Sequence, residues 1–430
     1  VSVLYWMSNS NNSAAPSKQQ QQPLLKASAV APTTSKVAEA AVILDDESGA
    51  SIPLDPLIEL LHLRHTYTSP YATSEEKQQA QQRILEEVFE HNMRPYYQLV
   101  TEMLGWPYDA KRANEMDAVN AEKLAKLDAA IVDAQENLGD VEVRECLLAK
   151  SDFYARIGDL DACLKYGEEC SKKTLAAGPK LDLCFQRIRL GIAFSNNDVA
   201  AKGIADAHRL LKDADWERRN RLKVYEGLYY VFIRDFAKGS KLLLDSLSTF
   251  ASYEILDFKQ FIWVTTIAGL PVLDRQELKK HIVDSPEVLS AGITELQDLV
   301  GAIFQCQYKD CFRALDAVCQ QLRKMVFLSA HVNYFFREIR VLVMNQFLDS
   351  YSSVTLKSMS SAFHIPVHVL DSMLCTLISN ERIACKIDRV SGSVTTYRGN
   401  QANFDFHKLI KNGDLLINRI QKLSRHVEMQ

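Results

Sequence analysis

The chain has 430 residues, 47% of them hydrophobic and 24% charged, a make-up that fits a globular protein with a large core and excludes a collagen or a disulfide mini-protein. Its 16 Gly and 12 Pro lie well below the average usage of roughly 7% and 5%, so few helix breakers are spread over a long chain; a mostly α protein is expected and an all-β sandwich is excluded. Lys+Arg is 50 against Asp+Glu 54, a net charge of −4, which leaves no overall basic field for nucleic acid or an anionic membrane.

The apolar runs fall short of the roughly 18 residues a membrane helix needs. The sequence opens on Val1, and its first six residues lack the basic region and the length of a signal peptide. Met7 is expected to be the natural start, with leader sequence before it. Residues 1–52 are rich in Ser, Asn, Ala and Pro, carry a glutamine run at 19–22, and are expected to be a disordered low-complexity segment. Nine cysteines, at 146, 163, 170, 184, 306, 311, 319, 375 and 385, form no CxxC and read as reduced, buried thiols of the cytosol or nucleus.

From 53 to 330 the apolar period is helical. Thr73-Ser74-Glu75-Glu76 has capping-box spacing and opens a helix with Ile84, Leu85, Val88 and Phe89 on one face, which Pro95 is expected to end or kink. A helix over 114–138 follows, stopped by Gly139. Polar turns then recur at Asp159, Asp198, Asp235 and Asp310. Each precedes a helix with a small residue, Ala162, Ala201, Ala237 or Ala314, expected to let paired helices approach closely. Helix–turn–helix units at this spacing predict a TPR-like solenoid, with 271–290 as a less regular unit.

The character changes over 331–400. An apolar helix at 334–348 leads to a β-compatible Ser353-Val354, a short helix near 356–363, a turn at His364-Ile365-Pro366 and a second helix to Ile378. Strands at 383–388 and 394–398 flank a Gly-containing hairpin loop. That order is a winged helix. A last helix is expected over 403–427 within a closing segment 401–430, with a weak point at Asn412-Gly413. Phe406, Leu409, Leu416, Ile420, Leu423 and Val427 form a heptad-like seam that skips Gly413. Beyond a complete winged helix such a seam needs a partner.

Reactive chemistry finds no foothold. No Walker A, GxGxxG, HExxH or GxSxG occurs, so no catalytic residue, cofactor site or metal site is assigned and the chain is not read as an enzyme. The pairs His62/His65 and His364/His368 read as ordinary capping or surface histidines, and Cys306, Cys311 and Cys319 as buried thiols rather than a zinc site. The second helix of the winged module bears Asp371, Glu381 and Arg382, a poor complement for DNA, while Val367, Leu370, Met373, Leu374, Leu377 and Ile378 read as packing residues. The basic cluster from Arg218 to Lys223 follows Asp213, Asp215 and Glu217 and reads as a mixed-charge helix start. What remains is surface for other proteins: a wing edge at Ile383, Cys385, Lys386, Ile387, Val394 and Tyr397, and the C-terminal seam.

A solenoid running into a winged helix and closed by a C-terminal helix resembles the PCI-domain family of proteasome-lid, signalosome and initiation-factor subunits. Within it the lid branch is resembled most in Tyr154-Ala155-Arg156-Ile157-Gly158-Asp159, Glu168-Glu169-Cys170-Ser171-Lys172-Lys173, Gly191-Ile192-Ala193-Phe194, Tyr225-Glu226-Gly227-Leu228, Tyr334-Phe335-Phe336-Arg337-Glu338-Ile339-Arg340 and Ile383-Ala384-Cys385-Lys386-Ile387-Asp388. The resemblance implies a non-catalytic scaffold of the proteasome regulatory-particle lid, cytoplasmic and nuclear, supporting ubiquitin-dependent degradation. It would contact other PCI subunits through the winged helix and C-terminal helix, and the ATPase ring and core particle through the solenoid, with no nucleic acid, membrane or small-molecule substrate. The alternatives are a signalosome PCI scaffold and, from another class, a winged-helix nucleic-acid or translation-factor scaffold.

Overall fold

A computed structural model describes residues 54–137, 139–211, 215–396 and 401–428; the expected disordered segment 1–52 and the Met7 start lie outside these residues. Three helices open the described chain: α1 (Pro56–Thr68), α2 (Ser74–Glu90) and α3 (Arg94–Leu104). The capping box at α2 forms as expected, with Glu76 N–H donating to Thr73 Oγ1 at 3.2 Å and Thr73 N–H to Glu76 Oε2 at 2.8 Å. Pro95 neither ends nor kinks α2. The break comes earlier, at Asn92 with φ 54°, and Pro95 sits in the first turn of α3, where its missing N–H has no helical acceptor to lose.

The solenoid proper is built of antiparallel pairs: α5 (Asp140–Ile157) with α6 (Leu160–Lys173), α7 (Ala177–Ala193) with α8 (Asn197–Leu210), α9 (Trp216–Phe232) with α10 (Phe236–Asp245), and α14 (Thr294–Phe304) with α15 (Tyr308–Leu322). The long α4 (Ala110–Asn137) precedes them. Between the third and fourth pairs lie α11 (Phe258–Gly269), α12 (Arg275–Leu278), a π turn at Lys279–Val283 and α13 (Pro286–Ser290).

One backbone device joins all four pairs. Gly158, Ser195, Arg234 and Cys306 each adopt a left-handed conformation, with φ of 81°, 56°, 66° and 61°. The next residue then donates its N–H back five positions: Asp159 to the Tyr154 carbonyl (3.0 Å), Asn196 to Gly191 (2.7 Å), Asp235 to Tyr230 (2.9 Å) and Gln307 to Ala302 (2.9 Å). The cap side chain then serves the following helix. Asp159 accepts from Ala162 N–H and Asp235 from Lys238 N–H. In the second turn the cap is Asn196 rather than Asp198, and in the fourth it is Gln307, with no side-chain bond, leaving Asp310 in the first helical turn.

The small residues that bring the helices together are not the expected alanines: Ala162, Ala201 and Ala314 are half-buried and Ala237 is exposed. Glycines do this instead. A Cβ on Gly191 would lie 2.7 Å from Ala200 N, one on Gly203 2.8 Å from Ile188 Cγ1, and one on Gly227 2.8 Å from Leu243 Cδ2.

A tie across the repeats comes from α1. Its Leu57, Ile58, Leu60 and Leu61 are buried, Arg64 Nη2 donates to the Ala193 carbonyl at the end of α7 (3.2 Å), and His65 Nε2 meets Ser329 Oγ at 2.9 Å. His62 stacks edge-on against Phe327, ring centroids 5.4 Å apart. At the entry to α1, Asp55 N–H donates to the Glu254 carbonyl (3.0 Å) and its carboxylate pairs with Arg189 of α7 (2.9 Å). Arg189 also donates to Tyr225 Oη of α9 (3.0 Å) and pairs with Glu254 (3.3 Å), and the Tyr225 hydroxyl donates to Glu254. Burial pushes the Tyr225 hydroxyl well above its usual range and keeps it a donor.

The apolar α16 (Val332–Leu348) carries the core into the winged module, which comprises β1 (Ser353–Thr355), α17 (Leu356–Phe363), α18 (Val367–Ser379), β2 (Cys385–Asp388) and β3 (Ser393–Thr396). The sheet is antiparallel, in the order β1-β3-β2, with Val354 opposite Val394 and Ile387 opposite Val394. The last helix is α19 (Gln401–Glu428). It runs unbroken through Asn412-Gly413, where a weak point was expected.

Two measurements check these packing arguments. Gly191→Ala should lower stability by about 1–3 kcal/mol, because the clash with the Ala200 backbone outweighs the helix-propensity gain. Gly301→Ala, in α14 with nothing within 4 Å of the added carbon, should instead raise it by about 0.5–1 kcal/mol. Denaturant melts separate the two. Burial lowers the His62 pKa from 6.5 to about 4, and moves His65 and His331 in the same direction. The unfolded chain therefore takes up protons that the folded chain refuses. Stability holds above pH 6.5 and falls as the pH drops from 6.5 towards 4, by about 3 kcal/mol from His62 alone. His62→Phe should flatten that slope in melts recorded across this window.

Candidate protein interface

Among the described residues no group of three or more His, Cys, Asp or Glu is placed to hold a metal ion. His62 and His65 belong to the α1 contact. His364 takes the left-handed position after α17, its Nδ1 2.8 Å from the Ser361 carbonyl. Cys311 and Cys319 are buried in α15, their thiols pushed up to about 12 and about 11 by desolvation, which makes them neutral packing groups. On α18, Leu370, Leu374 and Leu377 face the core, Val367 and Val369 face out, and Asp371 pairs with Arg389 of the wing at 3.0 Å. Its outward face mixes Val367 and Val369 with His368, Ser372, Thr376 and Ser379 and carries no Lys or Arg for phosphates.

The wing residues divide by the sheet's own geometry. Ile383, Cys385 and Val394 are buried and fill the module's own core, so their side chains are not available to a partner. Val394 is also removed from any edge because β3 is the central strand, hydrogen-bonded on both sides. Lys386 is exposed and Ile387 half-buried on β2, which forms one margin of the sheet. Tyr397 lies outside the described residues. A tight turn holds the wing beyond β2: Asp388 Oδ1 accepts from Val390 N–H (2.9 Å) and Oδ2 from the Ser391 hydroxyl (2.7 Å), which keep the Asp388 carboxyl below its usual range.

The C-terminal helix has the opposite character. From 405 to 428 every residue except the half-buried Gly413 is exposed. Phe406, Leu409, Leu416, Ile420, Leu423 and Val427 stand open, Leu423 and Val427 at 65%. The structure enlarges the seam. Ile410 and Ile417 fall beside it at helical spacing and are also exposed, and Gly413, four residues from Leu409 and three from Leu416, lies on the stripe rather than off it. With no Cβ and nothing within 4 Å, Gly413 leaves a notch where a partner helix can approach closely. An isolated helix in water gains little from propensity alone, and a row of uncovered large apolar side chains forgoes about 1.5–3 kcal/mol each.

Comparison with known proteins decides the family. The model described as 26S proteasome subunit RPN7 matches residues 109–281, the PCI domain model matches 307–398, and that described as the 26S proteasome regulatory subunit RPN7/PSMD6 C-terminal helix matches 407–427. The 26S proteasome non-ATPase regulatory subunit 6 homolog of Arabidopsis thaliana is 38% identical over 386 residues, 89% of this chain and 100% of the relative. The chain belongs to the family of 26S proteasome non-ATPase regulatory subunit 6. The Oryza sativa subunit of that name is 40% identical over 324 residues, 75% of this chain and 83% of its own. The 26S proteasome regulatory subunit RPN7 of Saccharomyces cerevisiae is 30% identical over 402 residues, 87% and 94% of the two chains. The family spans follow the structural units: 109–281 runs from the start of α4 into the π turn, 307–398 covers α15 to the wing, and 407–427 lies within α19.

Because α19 touches so little of its own chain, replacing Leu416, Ile420 and Leu423 together by Asp should shift the stability of the isolated protein by no more than about 0.5 kcal/mol per site. A melt of the triple variant that matches the parent is the expected result.

Proposed function

We propose that this chain is a non-catalytic scaffold subunit of the 26S proteasome regulatory-particle lid, supporting lid assembly and ubiquitin-dependent protein degradation in cytoplasm and nucleus. The exposed apolar stripe of α19 carries the reading: a 28-residue helix with open Leu and Ile side chains is built to be covered by other helices. The chain divides into a low-complexity segment 1–52, a solenoid 53–330, a winged helix 331–400 and a bundle helix 401–430. Other PCI subunits meet the β2 margin and α19, while the solenoid faces the ATPase ring and core particle. Family membership and the absence of catalytic motifs in the sequence support a role through contacts rather than turnover.

Affinity capture of the full chain with mass spectrometry tests the assembly. Proteasome lid and ATPase subunits are expected; signalosome subunits without proteasome ATPases would overturn the reading. In native gels the Leu416/Ile420/Leu423 triple Asp variant should stay out of the lid while remaining folded. Lys386→Glu on β2 should weaken the contact with one neighbouring PCI subunit by about 0.5–1 kcal/mol, read as pairwise affinity.

A further inference from the structure

Between α6 and the α7–α8 pair the solenoid leaves a cleft of about 390 Å³. It lies where a small separate core, Ala134, Val143, Leu147 and Cys170, gives way to the main one. Its walls are apolar: Leu164 from α6, Leu183 and Leu190 from α7, and Leu210 from α8. Cys163 and Cys184 add to that surface as neutral thiols, since burial pushes both up to about 11.

The charges around the cleft are unevenly matched. Its two carboxylates, Glu168 and Asp206, both face Arg187, at 3.6 and 3.4 Å, and Arg209 closes on Asp206 at 3.0 Å. Lys172 and Lys180 also line the cleft and have no carboxylate partner among the described residues. An occupant therefore meets an apolar slot, two unmatched ammonium groups and no unmatched carboxylate. A cationic ligand is disfavoured, and a neutral one leaves the lysines unused.

From this combination we propose that the α6–α7 cleft binds a single anionic amphiphile, its acyl chain along Leu164, Leu183, Leu190 and Leu210 and its carboxylate between Lys172 and Lys180. The ligand fills the gap between two repeats and braces the junction between the two cores.

Calorimetry on the full-length chain with decanoate below its micelle concentration tests this, alongside 1-decanol and decyltrimethylammonium. Decanoate is expected to saturate one site and raise the melting temperature, while the neutral and cationic analogues bind at least about tenfold more weakly. Lys172→Glu with Lys180→Glu, neither of them buried, should leave the unliganded melt unchanged and weaken decanoate by about tenfold or more. Equal binding of decanol, an unaffected double variant, or no saturable decanoate binding would each overturn the assignment. Flotation with phosphatidylglycerol vesicles separates a free amphiphile from a bilayer. No co-flotation is expected of a one-chain cleft, and co-flotation abolished by the double variant would move the anion to a membrane surface and sink the proposal.

Discussion

The solenoid rests on a hydrogen bond that reaches five residues back across a left-handed residue. Four helix pairs turn through it, at Gly158, Ser195, Arg234 and Cys306, with donor–acceptor distances between 2.7 and 3.0 Å. The bond satisfies a carbonyl that the ending helix would otherwise leave open, and its geometry turns the chain directly into the next helix. Only the first turn uses glycine. The other three hold a side chain where it costs of order 1 kcal/mol or more, which persists because the helices on either side fix the reversal. The close approaches at Gly191, Gly203 and Gly227 are part of that hold: once the turn sets the reversal, a Cβ would run into the facing backbone at Gly191 and into the Ile188 and Leu243 side chains at the other two.

Repeat arrays are ordinarily stabilised between neighbours alone. This one carries a longer tie. Helix α1 reaches the end of α7, Glu254 and the segment before α16, so that residues 129 and 264 positions apart in sequence share hydrogen bonds. The cluster of Asp55, Arg189, Tyr225 and Glu254 joins the α1 entry to α7 and α9 at one point. Arg221, 3.6 Å from Glu254, supplies a second cation, so two arginines answer two carboxylates, which is the condition under which a half-buried ionic group is tolerated.

Local patterns were legible in the sequence and long-range ones were not. The capping box at Thr73, the short helix ending at Phe363 and the hairpin around Gly392 depend on side chains a few residues apart, and the structure reproduces them. The alanines after the polar turns misled because composition shows where small residues are, not which face a helix turns inward; the glycines that matter sit elsewhere on the same helices. Alternation along Ile383, Cys385 and Ile387 correctly put these residues on one face, but it could not say that Cys385 and Ile383 close the module's own core or that Val394 belongs to a central strand. The docking of α1 left no local trace at all. In α19, Asn412-Gly413 reads as a break by propensity, yet a cost of about 1 kcal/mol for one glycine does not interrupt a helix of 28 residues.

That helix has a thermodynamic consequence for the subunit as a whole. The rest of the described chain derives its order from contacts within itself, whatever the dilution. In the assembly proposed for it, the tail's order is borrowed, and by mass action it grows with the supply of whatever covers it. On that reading a lone copy and an incorporated copy share one body and differ mainly in the fraying of their final turns, so amide exchange along this one segment is expected to read out the occupancy of the subunit.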